Sequence, residues 1–266
     1  MSASAATTGA ALATLDVNCD MGESFGKWVM GADEAMMPLI TTANLACGFH
    51  GGDPVTMRRT VRLAAEHGVA IGAHPGYPDL LGFGRRVIKL TPDEAATYIT
   101  YQVGALKGFL DAEGLPLHHV KPHGAFFATL RDDHSLADAA AEAVAAIGDG
   151  VLVYWPAPAE DVPFCDALAA RGVTIVQEIY PDLGYDPDGR LKIELTAEPT
   201  DVDFAAQQVT SFLTDGTVAA TDGTPLTFAA RSACVHGDGA NAPEVAQAIG
   251  SAVERAGRAL APVERG

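Results

Sequence analysis

Apolar residues recur along the chain in short runs of strand length, separated by longer segments that carry helix-capping signals. The runs are Leu15–Cys19, Ala43–Cys47, Val69–Ala73, Leu117–Lys121, Val151–Trp155, Val173–Val176 and Ser232–His236. Asp53-Pro54 supplies an N-cap and a proline at the first helical position, and Gly68 closes that helix. Thr91-Pro92-Asp93-Glu94 reads as a capping box. Further helices are predicted from about Ser135 to Ile147 and from Glu160 to Arg171, each followed by glycine, and from Asn241 towards Leu260. The stretch Thr217–Phe228 breaks the rhythm, with Asp222-Gly223 as a hairpin turn. Strands alternating with helices imply parallel pairing through right-handed crossovers. The expectation is a single α/β domain over residues 15–266, a TIM-like barrel of seven strands, behind a disordered tail over residues 1–14. An open doubly wound sheet shares this periodicity, because periodicity does not record closure.

Alternation along a strand sorts its side chains onto two faces. Leu15, Val17 and Cys19 share one face of the first strand, and Asp16, Asn18 and Asp20 the other. His119, Lys121 and His123 fall together in the fourth, and Ser232, Cys234, His236 and Asp238 in the last. Gly72 matches His74 in the third, and Asn44 matches His50 in the second if extension persists through Gly48. Helices cover the outside of a parallel barrel, so the polar set must line its interior or mouth. His50, His74, His123 and His236 each follow an apolar run, where barrel enzymes collect their chemistry. One histidine beside a proline, such as His74 or His123, can merely satisfy a loop carbonyl; four at equivalent positions point to a site. Lys121 in such a mouth can hold an anionic group or a developing oxyanion. A mouth open to solvent further predicts that His74→Ala and Lys121→Ala spare the fold. Arg85 and Arg86 lie in a Gly-, Tyr- and Pro-rich loop that could close over a negative ligand.

Charge narrows the partners. The 266 residues contain 34 acidic and 17 basic side chains, a net charge of −17 that argues against nucleic acid and anionic membranes. No apolar run reaches the length of a membrane span. The four cysteines have no zinc-type spacing, and the first residues lack the basic start of a signal peptide, so a reducing, cytoplasmic setting is expected. Gly48-Phe49-His50-Gly51-Gly52-Asp53 is glycine-rich but lacks the Lys-Ser/Thr step of a Walker A loop, and no GxSxG elbow is present.

The motifs LDVNCDMGESFG (15–26), ANLACGFHGGDP (43–54), VAIGAHPGYPD (69–79), GFGRR (82–86), QVGAL (102–106), HVKPHGA (119–125) and CVHGDG (234–239) resemble the LamB/YcsF family, in order and over the chain from residue 15 onward. The resemblance implies a (β/α)7-type barrel of the glycoside hydrolase/deacetylase type. It also implies a subunit that works with two further oxoprolinase-type subunits to open 5-oxo-L-proline to L-glutamate with ATP hydrolysis. On that basis Asp20, His50, His74, Lys121 and His123 are the candidate catalytic residues, and Asn18, Glu23, Arg85, Arg86, His236 and Asp238 the candidate substrate-binding ones. Three alternatives stay open. One is a metal-dependent amide hydrolase of deacetylase type, with Asp20, His50 and His74 holding a divalent ion. Another is a non-catalytic binding subunit. The third is a hydrolase of a different lactam. It arises because two arginines typical of the family are replaced by Leu183 and Glu194 in a frame that keeps Asp182, Tyr185, Asp188 and Gly189.

Overall fold

The computed structural model describes residues 9–192 and 199–265. Seven parallel strands, Thr14–Met21, Thr42–Ala46, Ala70–His74, His119–Val120, Leu152–Pro156, Ile175–Ile179 and Ser232–Val235, pair in chain order. The first and seventh then pair with each other, Asp16 opposite Ser232 through Cys19 opposite Val235. The sheet is therefore a closed barrel, which the periodicity alone had left undecided.

The outward faces explain why helices coat it. Leu15, Val17 and Cys19 are wholly buried beneath the helical layer and share its apolar core with Leu45, Val61, Leu106 and Ile249. Helix Pro54–His67 begins where Asp53 Oδ1 accepts from the amides of Val55 and Thr56, and ends at Gly68 in a left-handed conformation. Thr91 and Glu94 close a capping box on helix Pro92–Glu113. Helix His134–Ala145 takes its cap from Asp133, and Pro163–Ala170 is shorter than its expected span.

Several expectations needed correction. Helices Gly124–Asp132 and Val202–Asp215 were not anticipated, although Asp201 caps the second and Gly216 ends it. Asn241 does not cap its helix. Its amide instead pins the Thr200 backbone at 2.8 and 3.0 Å, and the helix stops at Arg255. Ala259–Leu260 then pairs with the start of the first strand as an eighth, peripheral strand. The sixth strand starts two residues and ends three residues later than expected, which brings Glu178 into it. Within the tail expected over residues 1–14, Gly9–Ala11 form a 3-10 turn and Leu12 is buried in the apolar core, while residues 1–8 lie outside the described part. The hairpin Thr217–Ala219 with Pro225–Thr227 is present as expected.

Inside the barrel Leu152, Tyr154, Val176 and Val263 form a small apolar cluster. Beside it lies a buried polar lattice. Asp16 accepts from the hydroxyls of Thr41, Thr42, Ser232 and Tyr154 at 2.5–2.9 Å. Asn18 donates to Glu178 and Ser232 and accepts from Asn44, which also donates to Asp20. His119 donates through Nε2 to Asn44 Oδ1 at 2.6 Å. These bonds satisfy groups that would otherwise be costly to bury, and they set the height and rotation of the side chains at the mouth.

Candidate active site

The upper ends of the strands surround a small cavity, open to solvent and lined by Asp20, His74, Arg85, Lys121, His123 and His236, with apolar walls that include Phe127, Pro156, Leu183 and Leu191. Asp20, His74 and Lys121 arrive on strands or directly after them, as side-chain parity predicts. His50 does not. The second strand ends at Ala46, and left-handed Gly48 and Gly52 turn the chain so that a loop, rather than an extended strand, delivers His50.

Lys121 is only 4% exposed, and its Nζ lies 3.4 Å from Asp20 Oδ1, 3.2 Å from Glu178 Oε1 and 3.1 Å from Asn18 Oδ1. Burial disfavours its charge, but Asp20, Cys234 and Glu178 outweigh burial and hold it well above the usual lysine range. For Asp20, burial likewise opposes ionisation, and His74 and Lys121 overcome it, so the carboxyl stays well below its ordinary value. The expectation of Lys121 in a solvent-reachable mouth is therefore revised: it borders the cavity but belongs to the buried lattice.

His74 Nδ1–H donates to the Lys121 carbonyl at 2.6 Å, and His123 Nε2–H donates to the Phe83 carbonyl at 2.7 Å. These bonds leave His74 Nε2, 3.3 Å from Asp20 Oδ2, facing His123 Nδ1 at 3.0 Å. Burial, then the neighbouring His74, pushes the His123 imidazole down to about 3. His50 stacks on His123 with ring centroids 3.7 Å apart, and its Nε2 lies 3.5 Å from Glu23 Oε1. Burial lowers His50 well below the usual histidine value, and burial raises Glu23, with the negative charges of Asp20 and Asp238 adding to it. Glu23, His50, His74 and His123 each offer a ligand atom within 4.8 Å of the others. That set differs from the expected Asp20, His50 and His74: Glu23 and His123 enter, and Asp20 is engaged by Asn44, Lys121 and His74.

Among the other candidates, Asn18 is buried beneath the cavity and Glu23 sits behind His50. Arg85 lines the cavity, 26% exposed, and reaches Asp238 at 3.5 Å. Arg86 is 66% exposed and pairs with Asp79 of its own loop, so it does not reach the cavity. Glu178, Tyr180 and Asp182 were missed. Glu178 lay beyond the expected end of the sixth strand, and two-residue alternation from Val176 would have found it.

Asp182 Oδ2 accepts from both the amide and Nδ1 of His236 at 2.9 Å. Burial opposes the imidazolium, but the Asp182 charge and hydrogen bond prevail and push His236 up to about 9. A histidine raised in the folded state stabilises fully below its unfolded pKa of about 6.5 and loses that contribution as pH rises through the folded value. Thermal unfolding of the wild type should therefore show a loss on the order of 3 kcal/mol between about pH 6.5 and 9.5 that Asp182→Asn lacks. Parallel pH profiles for the two proteins would contradict this.

The LamB/YcsF family model matches residues 15–266. The chain belongs to the LamB/YcsF family. It is 48% identical over 245 residues to a 5-oxoprolinase subunit of Symbiobacterium thermophilum, covering 91% of this chain and 93% of that protein. The corresponding 5-oxoprolinase subunit of Bordetella pertussis is 46% identical, covering 92% of this chain and 97% of that one. The crystal structure of a lactam utilization protein from Thermus thermophilus superposes with a TM-score of 0.86 at 42% identity, covering 94% and 100% of the two chains. A family 4 carbohydrate esterase from Streptomyces lividans, at TM-score 0.50 and 12% identity, shares the fold. Among the described residues of this LamB/YcsF chain, no helix is long and apolar enough to cross a membrane.

Proposed function

We propose that this chain is the ring-opening subunit of an ATP-dependent lactam hydrolase that converts 5-oxo-L-proline to L-glutamate, acting in the cytoplasm with two partner subunits. The observation that carries the reading is the cavity in which Asp20, His74, Lys121 and His123 meet, in a chain 42–48% identical to proteins named for 5-oxoprolinase and lactam utilization. A five-membered lactam is a stable amide, and transferring a phosphoryl group from ATP to its oxygen creates a better electrophile for water.

This chain's residues suit the hydrolytic half of that chemistry. Water attacks the carbonyl carbon, and its proton passes to the Asp20 carboxylate at the cavity wall. Lys121 and protonated His236 supply positive charge where oxygen becomes negative. As the ring C–N bond breaks, His236 can deliver the proton that the nitrogen needs, and a second water then cleaves the resulting acyl phosphate to release glutamate and inorganic phosphate. Arg85 faces the cavity as the cation for the substrate carboxylate, and Phe127, Pro156, Leu183 and Leu191 pack against the ring. The amides at the start of helix Pro54–His67 are already taken by the Asp53 carboxylate, whose charge would repel phosphate there.

Leu183 lines the cavity where the family pattern has arginine, which favours a second reading, a lactam without the carboxylate. Glu194, the other replaced position, lies outside the described residues. The test is ATP-coupled ring opening by the chain with and without its partners, on 5-oxoproline and on 2-pyrrolidone. The complex should exceed the isolated chain by at least about a hundredfold and favour 5-oxoproline. Brisk ATP-independent hydrolysis by the isolated chain would overturn the reading in favour of a stand-alone amide hydrolase. Preference for 2-pyrrolidone would establish the second reading.

A further inference from the structure

The three imidazoles around Glu23 pose a hydrogen-bonding problem that protein atoms do not solve. His74 and His123 each spend their ring N–H on a backbone carbonyl, so lone pairs face one another across 3.0 Å. Something positive belongs between them. One shared proton would satisfy that pair but nothing else. Both nitrogens of His50 and Oε1 of Glu23 are buried without a hydrogen-bond partner. His50 is wholly inaccessible and Glu23 is 5% exposed. A proton on Glu23 does not rescue them either, because 3.5 Å to His50 Nε2 is longer than a normal O–H hydrogen bond. Unpaired buried polar atoms cost about 1–3 kcal/mol each, so leaving three in one cluster requires a cause.

We propose that Glu23, His50, His74 and His123 bind a divalent transition-metal ion of the zinc class at the back of the cavity. Three imidazoles and one carboxylate form a nitrogen-rich set that suits Zn²⁺, Co²⁺ or Ni²⁺, whereas Mg²⁺ and Ca²⁺ prefer oxygen donors. Bonds of about 2.0–2.1 Å in a tetrahedron separate neighbouring ligands by about 3.3 Å. The four donor atoms, all within 4.8 Å of one another, need to close by at most about 1.5 Å to reach that spacing. The carbonyls of Lys121 and Phe83 already do what the outer partners of metal-bound histidines do, fixing the tautomer and aiming the free nitrogen inward. Backbone packing confines the rings. A Cβ on Gly76 would lie 2.7 Å from His50 Nδ1, and one on Gly84 would lie 2.6 Å from His50 Cβ and 2.8 Å from His123 Cδ2. Glycines at both positions let the loop press against the stacked imidazoles.

The proposal stands apart from the lactam reading, because its readout is metal rather than turnover. Protein purified without chelator should carry close to one equivalent of metal by mass spectrometry. After stripping, Co²⁺ should restore a visible d–d absorption band of a nitrogen-rich site. The isosteric Glu23→Gln, which keeps the packing, and His50→Gln should each lower affinity at least tenfold while the far-ultraviolet circular dichroism stays native. If His50→Gln fails to fold, Glu23→Gln decides alone. A folded wild type that neither retains metal nor develops the Co²⁺ band overturns the site. Metal bound equally well by the variants, as through exposed His67 and His134, overturns it too.

Discussion

Lys121→Ala is expected to lower stability by about 3–5 kcal/mol, one of the larger effects a single substitution in this chain should produce. The ammonium lies 3.2 Å from Glu178, which is wholly buried, and 3.4 Å from Asp20. Removing it strands two carboxylates in the barrel with Asn18, Asn44 and Tyr180 as their main neutral partners. Lys121→Met keeps most of the volume and none of the charge, so it should be nearly as damaging. Urea denaturation of both variants is the measurement. A loss below about 1 kcal/mol in Lys121→Met would show that the ion pairs are not what holds this layer together.

Gly72→Ala should cost about 3 kcal/mol, although it adds a single methyl group. Gly72 stands in the third strand on the inward face, and a Cβ there would land on the His119 ring. That ring cannot yield. It packs against Tyr154 with centroids 4.3 Å apart, and Nε2 is bonded to Asn44. Asn44 in turn holds Asp20. The strain should therefore reach the site as well as the core, and thermal unfolding should show a drop of several degrees, about 2–4 °C for each kcal/mol. An unchanged midpoint would mean that the interior is looser than this packing implies.

What the sequence revealed of this architecture follows from the range over which its signals act. Asp53-Pro54, the Thr91 capping box and the terminal glycines are local, and they placed helices because capping is settled within one turn. The inward set Asp16, Asn18, Asp20, Lys121 and Cys234 was legible because parity is a property of a single strand. Closure was not, since it depends on the first strand meeting the seventh across more than two hundred residues. Glu178 escaped because its run begins with Val173, which lies before the strand proper, so the expected end fell three residues early. His50 reached the site by a route that parity could not describe, through two left-handed glycines. Arg85 and Arg86, adjacent and chemically identical, parted because Asp79 holds one and the cavity admits the other. Burial of Lys121 could not be inferred either, because its counter-charge Glu178 comes from a different strand, far along the chain.

Asp20 most directly tests the proposal that the lactam ring opens in the cavity of this chain, because it lines the cavity, stays ionised and contacts both His74 and Lys121. The measurement is glutamate formed from 5-oxoproline and ATP by the complete complex, with this chain either wild type or Asp20→Asn. Assembly is checked by size-exclusion chromatography, and folding by thermal unfolding. The expected result is an assembled, folded complex whose glutamate formation falls by about a thousandfold, with the loss in kcat rather than KM. Glutamate formed at an undiminished rate by the Asp20→Asn complex would place the chemistry elsewhere and contradict it.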